Sequence, residues 1–306
     1  MSHKIKNIYI SGCGGMLGDA FYKIYSKNFN LRCSDKIDDE PWLHKLDFTD
    51  YLQYYDEVKN HKSDLLIHLG AMTDLEQCEK NPKSTYLNNT KSVEYAVKIS
   101  NILNIPIMFI STAGIFDGKK SYYIDDDKPN PISHYGKSKY ESEKFVELNS
   151  KNYLIFRAGW MMGGGEKKDK KFVYKILKQI KNGKKILNIV NDKNGTPTYT
   201  FDFAKQTMKL INNNIRGKYN LVCEGLTSRI EVVFEILKFY QLEKKIIVNE
   251  VTSDFFSEKY FVKRPLSERL INEKLNILKL NVMRNWKVCL NEYLENDFKE
   301  FLNEKN

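Results

Sequence analysis

The chain has 306 residues, 42% of them hydrophobic and 29% charged, with a formal net charge of +10. That length and balance suit a globule built as one large α/β domain, or as a domain with a smaller lobe. No apolar run approaches a membrane span. The lysines are scattered among acids in short clusters such as EKKDKK, as on a solvated surface and not as a nucleic-acid-binding stripe.

In chain order, KNIYISG (residues 6–12) is an apolar, β-branched run ending in glycine, a good first strand. It opens into GCGGMLGDAFYKIYSK, in which Gly12, Gly15 and Gly18 precede a helical pattern carrying Phe21, Ile24 and Tyr25 on one side. A strand, a glycine turn and a helix are the context a dinucleotide needs. Gly12 permits the tight turn, Gly15 lets backbone approach a pyrophosphate, and Gly18 allows close helix–strand packing. Met16 and Leu17 lie in the same turn.

The next strand, FNLRCSD, ends in Asp35, where an acid accepts hydrogen bonds from the adenosine ribose hydroxyls. A carboxylate there repels a 2′-phosphate and favours NADH, while Lys36 beside it leaves NADPH open as the alternative. KLDFTD then places Asp47 near the adenine edge. SDLLIHLGAM is a third buried strand whose end, Gly70-Ala71, should also touch the dinucleotide.

NPKSTYLNNTKSVEYAVKISNILN is a long amphipathic helix with Pro82 near its start. IPIMFISTAGIFDG is a strand running into a loop, SHYGKSKYESEKFVEL a helix, and YLIFRAGW another strand. Such alternation means a Rossmann-type, doubly wound parallel sheet with helices on both faces. Ligands bind beyond the carboxyl ends of its strands. Thr112 and Trp160 stand just past such ends and should share a crevice with the glycine turn.

Tyr135 and Lys139 are four apart on the same helix face. That spacing alone fits a wet surface as well as a catalytic pair.

Five scattered cysteines (Cys13, Cys33, Cys78, Cys223, Cys289), with no CxxC, suit a reducing cytoplasm. The five histidines show no metal-ligand spacing, and no metal is expected. The opening stretch lacks an uninterrupted apolar run and a cleavage site, so no secretion signal is expected.

STAGIFDG at a strand end, YGKSK opening the next helix and the glycine turn together resemble the extended short-chain dehydrogenase/reductase family. The resemblance implies a catalytic Thr112, Tyr135 and Lys139. Thr112 would hydrogen-bond the substrate carbonyl. Lys139 would bind the nicotinamide ribose and lower the pKa of Tyr135 toward neutrality.

Longer segments are similar to the dTDP-4-dehydrorhamnose reductases within that family. ISTAGIFDG resembles their STDYVFDG, and the acidic loop, proline and YGKSK of residues 123–143 resemble their YGKTK region. YLIFRAGWMMG resembles LIVRTSWVYG, NDKNGTPTYTFDFA resembles DQIGTPTYARDLA, and VKRPLSERLINEKL resembles RPxxSxLxxxKL. The likeness runs nearly the whole chain in order.

Two departures fall at positions that line the sugar site in the family. Ala113-Gly114 replace Asp-Tyr, and GAMTDLEQCE stands for AAYTxVDxAE, with Thr73 retained. The resemblance implies reduction of a nucleotide-linked 4-keto sugar by NADH or NADPH, most specifically in dTDP-rhamnose synthesis.

The substrate would meet Thr73, Thr112 and Trp160, with Thr196 and Pro197 of GTPT beside it. Lys171 and Arg264 are candidates to pair with the diphosphate. MMGGGEKKDKKFV should be a mobile loop before a helix, either plain surface or a lid or sugar-phosphate contact.

Residues 1–157, with 190–225 returning, should form the dinucleotide domain. Residues 158–189 and 226–306 should form a smaller nucleotide-sugar lobe. A homodimer is open; membrane and nucleic-acid partners are not expected. An epimerase of the same family, or a non-catalytic dinucleotide-binding subunit, would carry many of the same motifs. A dehydratase would need a further acid and base beside Thr112, and Ala113 supplies neither.

Overall fold

A computed structural model describes residues 5–302; residues 1–4 and 303–306, the outermost parts of the expected domain segments and of the opening stretch, lie outside it. The first strands are β1 (Asn7–Ser11), β2 (Asn30–Asp35), β3 (Leu43–Lys45), β4 (Leu65–His68), β5 (Ile107–Thr112) and β6 (Tyr153–Ala158). Next come β7 (Trp160–Met162), β8 (Ile186–Val190), β9 (Asn194–Gly195), β10 (Pro197–Tyr199) and β11 (Gly217–Asn220). The last are β12 (Thr227–Ser228), β13 (Ile247–Val251) and β14 (Ser267–Glu268).

Seven strands form one parallel sheet in the order β11-β6-β5-β4-β1-β2-β3. The order reverses at β1, so the crevice between the ends of β1 and β4 is the topological switch point where such sheets bind ligands.

Both sheet faces are covered, and the strand residues show why. Ile8 and Ile10 pack into one apolar layer with Phe21, Tyr25 and Phe203, while Tyr9 between them packs into the other with Tyr54, Val97, Phe109 and Val146. Successive strand residues face opposite ways, so a strand buried on both sides must be apolar throughout. The helix Met16–Tyr25 and the helix Thr200–Asn212 pack side by side over the first face. Tyr51–Asn60, Ser92–Leu103 and His134–Asn149 cover the second.

The remaining strands make short pieces at the carboxyl edge of the sheet. β10 pairs with β7, β9 lies between β12 and β14, and β13 pairs with β8. β11 returns from among them to the main sheet beside β6. All five cysteines are free and buried. Among the described residues no helix is long and apolar enough to cross a membrane, and no His, Cys, Asp and Glu cluster could hold a metal.

One buried ion pair ties the sheet to the helix His134–Asn149. Arg157 on β6, 1% exposed, donates three hydrogen bonds to Glu143 at 2.8–3.2 Å and one to the Asp125 carbonyl at 2.9 Å. A guanidinium fork meeting a carboxylate in this way fixes the helix on the sheet, because a lone buried charge is costly.

Candidate active site

The glycine turn is shaped by close approaches. A Cβ on Gly12 (φ +71°) would stand 2.2 Å from the Gly70 backbone, so the ends of β1 and β4 meet through two residues without side chains. A Cβ on Gly18 would lie 2.0 Å from the Cys13 carbonyl, which seats the helix against its strand. Gly15 faces open space and is the N-cap of the helix, with no side-chain cap. Its first N–H groups are therefore available to an anion.

The Asp35 carboxylate accepts the Gly14 N–H at 2.8 Å, so the acid at the end of β2 is held beside the turn. Asp47 is exposed and accepts from Thr49 N–H (2.8 Å) and hydroxyl (2.6 Å). It also pairs with Lys36 at 3.2 Å. Lys36 further donates to Asn88 at 2.9 Å and lies over Phe48. The one cation beside Asp35 in the sequence is thus already engaged.

The glycine-rich loop expected to be mobile is docked on this turn. Lys168 donates to the Gly14 carbonyl at 2.9 Å and sits 3.3 Å from Glu40, while a Cβ on Gly164 would lie 3.3 Å from the Met16 Cα. Three successive positive-φ glycines, Gly163–Gly165, let the chain bend down onto it.

The reacting end is assembled by β5 and the helix His134–Asn149. Ser133 caps the helix, its hydroxyl accepting the Gly136 N–H at 3.2 Å. A Cβ on Gly136 would stand 2.3 Å from the Gly114 carbonyl. The glycine of YGKSK thus lets the first helical turn press against the turn that follows Thr112. Tyr135 comes to the strand end, and Lys139, 3% exposed, lies one turn deeper with its ammonium 4.2 Å from the Phe109 ring centre.

Asn89 locks this arrangement from the side. Its helix carries a single π-turn, Leu87–Lys91, of the kind often found at functional sites. There the Asn89 side chain accepts the Met72 N–H (2.7 Å) and donates to the Met72 carbonyl (3.0 Å) and the Ser138 hydroxyl (3.1 Å). The loop after β4 and the helix His134–Asn149 are joined through one buried amide.

The electrostatics correct one expectation. Burial pushes Tyr135 up to about 12, with the Thr112 hydroxyl opposing the rise and Cys78 and Glu268 adding to it. Lys139 is itself pushed down to about 7 by burial, opposed by Glu143. Glu143 is committed to Arg157, and Lys139 without its cofactor is not the charge that sets Tyr135. Beneath them His68, pushed down to about 3 by burial and then by Lys139, is a neutral imidazole bonded to Ser11, Tyr54 and Ser92.

On the substrate side, Trp160 donates its indole N–H to Glu268 at 2.9 Å and lies flat on Gly195, where a Cβ would be 2.1 Å from the ring. The Arg229 guanidinium is stacked between Trp160 (3.6 Å) and Phe172 (4.3 Å). Thr196 and Pro197, expected to touch substrate, are buried. The Thr196 hydroxyl is spent on Leu270, accepting its N–H at 3.1 Å and facing its carbonyl at 3.4 Å. They stand behind Trp160, because β10 pairs with β7 there.

Lys171 donates to the exposed Thr73 hydroxyl at 3.2 Å, joining two expected contacts. Arg264 forms a two-pronged ion pair with Glu76 at 2.7 and 2.8 Å, so it is not a free diphosphate cation. Ala71 is half-buried at the end of β4, beside Gly70.

Lys168, Asn89, Arg229 and Glu268 were not singled out in the sequence. Only the glutamate left a trace there, standing at the serine position of RPxxSxLxxxKL.

A family model described as the RmlD substrate binding domain matches residues 6–298. The spore coat polysaccharide biosynthesis protein SpsK of Bacillus subtilis is 31% identical over 237 residues, spanning 77% of this chain and 80% of its own. A dTDP-4-dehydrorhamnose reductase of Aggregatibacter actinomycetemcomitans is 29% identical over 259 residues, 80% of this chain and 84% of its own. The crystal structure of a dTDP-4-dehydrorhamnose reductase from Clostridium acetobutylicum matches with a TM-score of 0.85 at 29% identity, covering 94% of this chain and 98% of that one.

Proposed function

The chain belongs to the RmlD substrate binding domain family, and from that premise we propose that it reduces the 4-keto group of a nucleotide-linked deoxy sugar with NADH or NADPH. The observation that carries this reading is the gathering of Thr112, Tyr135 and Lys139 at the carboxyl edge of the sheet, beside a glycine turn open to a pyrophosphate. Likeness to dTDP-4-dehydrorhamnose reductases supports dTDP-4-dehydrorhamnose as the substrate.

The residues present fit a dinucleotide. Gly15 and the uncapped helix start would take the pyrophosphate, Asp35 the adenosine ribose and Lys139 the nicotinamide ribose. Lys36 is engaged by Asp47 and Asn88, and Lys168 by the Gly14 carbonyl and Glu40, so the cations near Asp35 are already committed, which supports NADH as the preferred form. When bound, the nicotinamide supplies the hydride.

The protein's own part is to polarise and protonate. The Thr112 hydroxyl oxygen accepts the Gly114 N–H at 3.1 Å and the hydroxyl faces Tyr135, so its proton can turn from the phenol oxygen to a substrate carbonyl placed between the two. Tyr135, held protonated by burial, gives its proton to the same oxygen as charge develops there. A reductase needs the phenol and not the phenolate, so a raised pKa suits this direction. Lys139 becomes useful once ribose hydroxyls surround it. Trp160, packed between Gly195 and the Arg229 guanidinium, presents its ring edge to the site and holds Glu268 through its indole N–H.

The test is loss of nicotinamide absorbance with dTDP-4-keto-6-deoxy-L-mannose generated in place, for wild type and Tyr135→Phe. Turnover that falls about 10²-fold or more in the variant, with cofactor binding retained, is expected. Cofactor binding without turnover on this or any other keto sugar would move the protein to a non-catalytic dinucleotide-binding role.

A further inference from the structure

Two departures from the reductase motifs meet in space. Gly114 stands where STDYVFDG has its aromatic residue, and Glu268 stands where RPxxSxLxxxKL has its serine. The two positions are 154 apart in sequence, yet a Cβ built on Gly114 lies 3.6 Å from Glu268 Oε1 and 3.5 Å from Thr112 Oγ1. The room left by an absent ring is therefore flanked by the hydroxyl that polarises the ketone and by a carboxylate oxygen.

That oxygen is held in place and unspent. Glu268 Oε2 accepts the Trp160 indole N–H at 2.9 Å, which fixes the carboxylate. Oε1 has no protein hydrogen-bond donor among the described residues. Pairing of Glu268 with Gly195 across β14 and β9, and the ring of Trp160 lying on Gly195, hold the group rigidly. Glu268 also acts electrostatically on both Tyr135 and Arg229, which places its charge at the reacting end of the crevice.

We propose that Glu268, in the space opened at Gly114, is a specificity-determining residue that selects a sugar bearing a hydrogen-bond donor, a hydroxyl or an amine, on the ring carbon next to the ketone. The inference rests on the reductase reading above. Thr112 Oγ1 and Glu268 Oε1 are at most about 7 Å apart through the Gly114 position. An α-hydroxy or α-amino ketone bridges such a span with one hydrogen bond at each end, each near 2.8 Å. A carboxylate oxygen left without a donor in the closed complex would be costly, so a sugar lacking that group is disfavoured. Arg229, stacked behind Trp160, offsets part of the carboxylate charge, so a neutral hydroxyl suffices and an ammonium is not required.

The experiment is calorimetric binding to the NAD⁺-loaded protein. The three ligands are dTDP-linked 6-deoxyhexoses that differ only at the carbon beside C4: one carries hydroxyl, one amino, one hydrogen. Wild type should bind at least one donor-bearing sugar roughly 10- to 100-fold more tightly than the deoxy compound. Whichever is tighter identifies the donor.

Glu268→Ala should bring all three within about twofold, and Glu268→Gln, which keeps an acceptor for Trp160, should retain part of the preference. Gly114→Ala, whose methyl enters at ordinary contact distance, should weaken the donor-bearing sugars while NAD⁺ affinity, measured alongside, stays unchanged. No preference in the wild type, or a preference that survives in Glu268→Ala, overturns the proposal while the reductase reading stands. Failure of every nucleotide sugar to bind overturns both.

Discussion

Replacing Lys139 by methionine separates what this residue contributes to catalysis from what it costs the fold. The side chain is 3% exposed, and burial pushes its ammonium from 10.5 down to about 7 in the protein without cofactor. The unfolded chain holds that proton up to its ordinary pKa. Between the two values the unfolded state binds more protons, so the stability owed to this group rises with pH; below the folded value the full cost is present, and above the unfolded value it is gone.

Each pH unit inside that window is worth about 1.4 kcal/mol. Wild type should therefore gain about 2–3 kcal/mol from Lys139 between roughly pH 7 and pH 9. Methionine is of similar length, does not titrate and packs on Phe109. Lys139→Met should be the more stable protein at pH 7, and its lead should shrink by that same amount by pH 9, while reductase activity is lost. Urea unfolding of both proteins without nicotinamide at pH 7, 8 and 9 gives the answer. A lead that does not change with pH would refute the claim that Lys139 is held near neutrality by burial.

Arg157→Met should cost about 3–5 kcal/mol, because Glu143 is left buried without a counter-charge, and adding Glu143→Leu should recover most of it; urea midpoints of the single and double variants that coincide would contradict this. Gly195→Ala must displace the Trp160 ring, whose nearest atom would be 2.1 Å away. Its kcat/KM for the keto sugar should fall about tenfold or more with dinucleotide affinity unchanged, and wild-type kinetics would show that the position of the ring, and of the Glu268 it holds, does not shape the sugar site. Asp35→Ala should weaken NADH by roughly 10- to 100-fold and narrow or reverse any preference for it over NADPH, read by fluorescence titration; equal weakening of both would show that Asp35 serves the Gly14 turn alone.

The parts legible in the sequence are those set by local spacing. Strand, glycine turn and helix follow each other within residues 6–25, and Tyr135 and Lys139 share one helix face by periodicity alone. Gly12 and Gly18 mark backbone approaches that a side chain would block. Contacts between distant segments leave no such mark. Trp160, Gly195 and Glu268 come from three short strands and Arg229 from the start of the helix Arg229–Phe239, and Lys168 reaches Gly14 across 154 positions. Asn89 could not be weighed from sequence because its role depends on the π-turn that swings its amide toward Met72. The direction of the Tyr135 shift depends on how deeply the phenol is enclosed, which motif spacing does not encode.

The central claim is hydride delivery to a sugar carbonyl with Tyr135 as the proton donor. It is tested most directly by following deuterium from nicotinamide labelled at C4 into the product of a dTDP-linked 4-keto-6-deoxy sugar. Deuterium found at sugar C4 with wild type, and lost with Tyr135→Phe while labelled cofactor still binds, is the expected result. Product formed without label, or label transfer that Tyr135→Phe leaves unchanged, would contradict it.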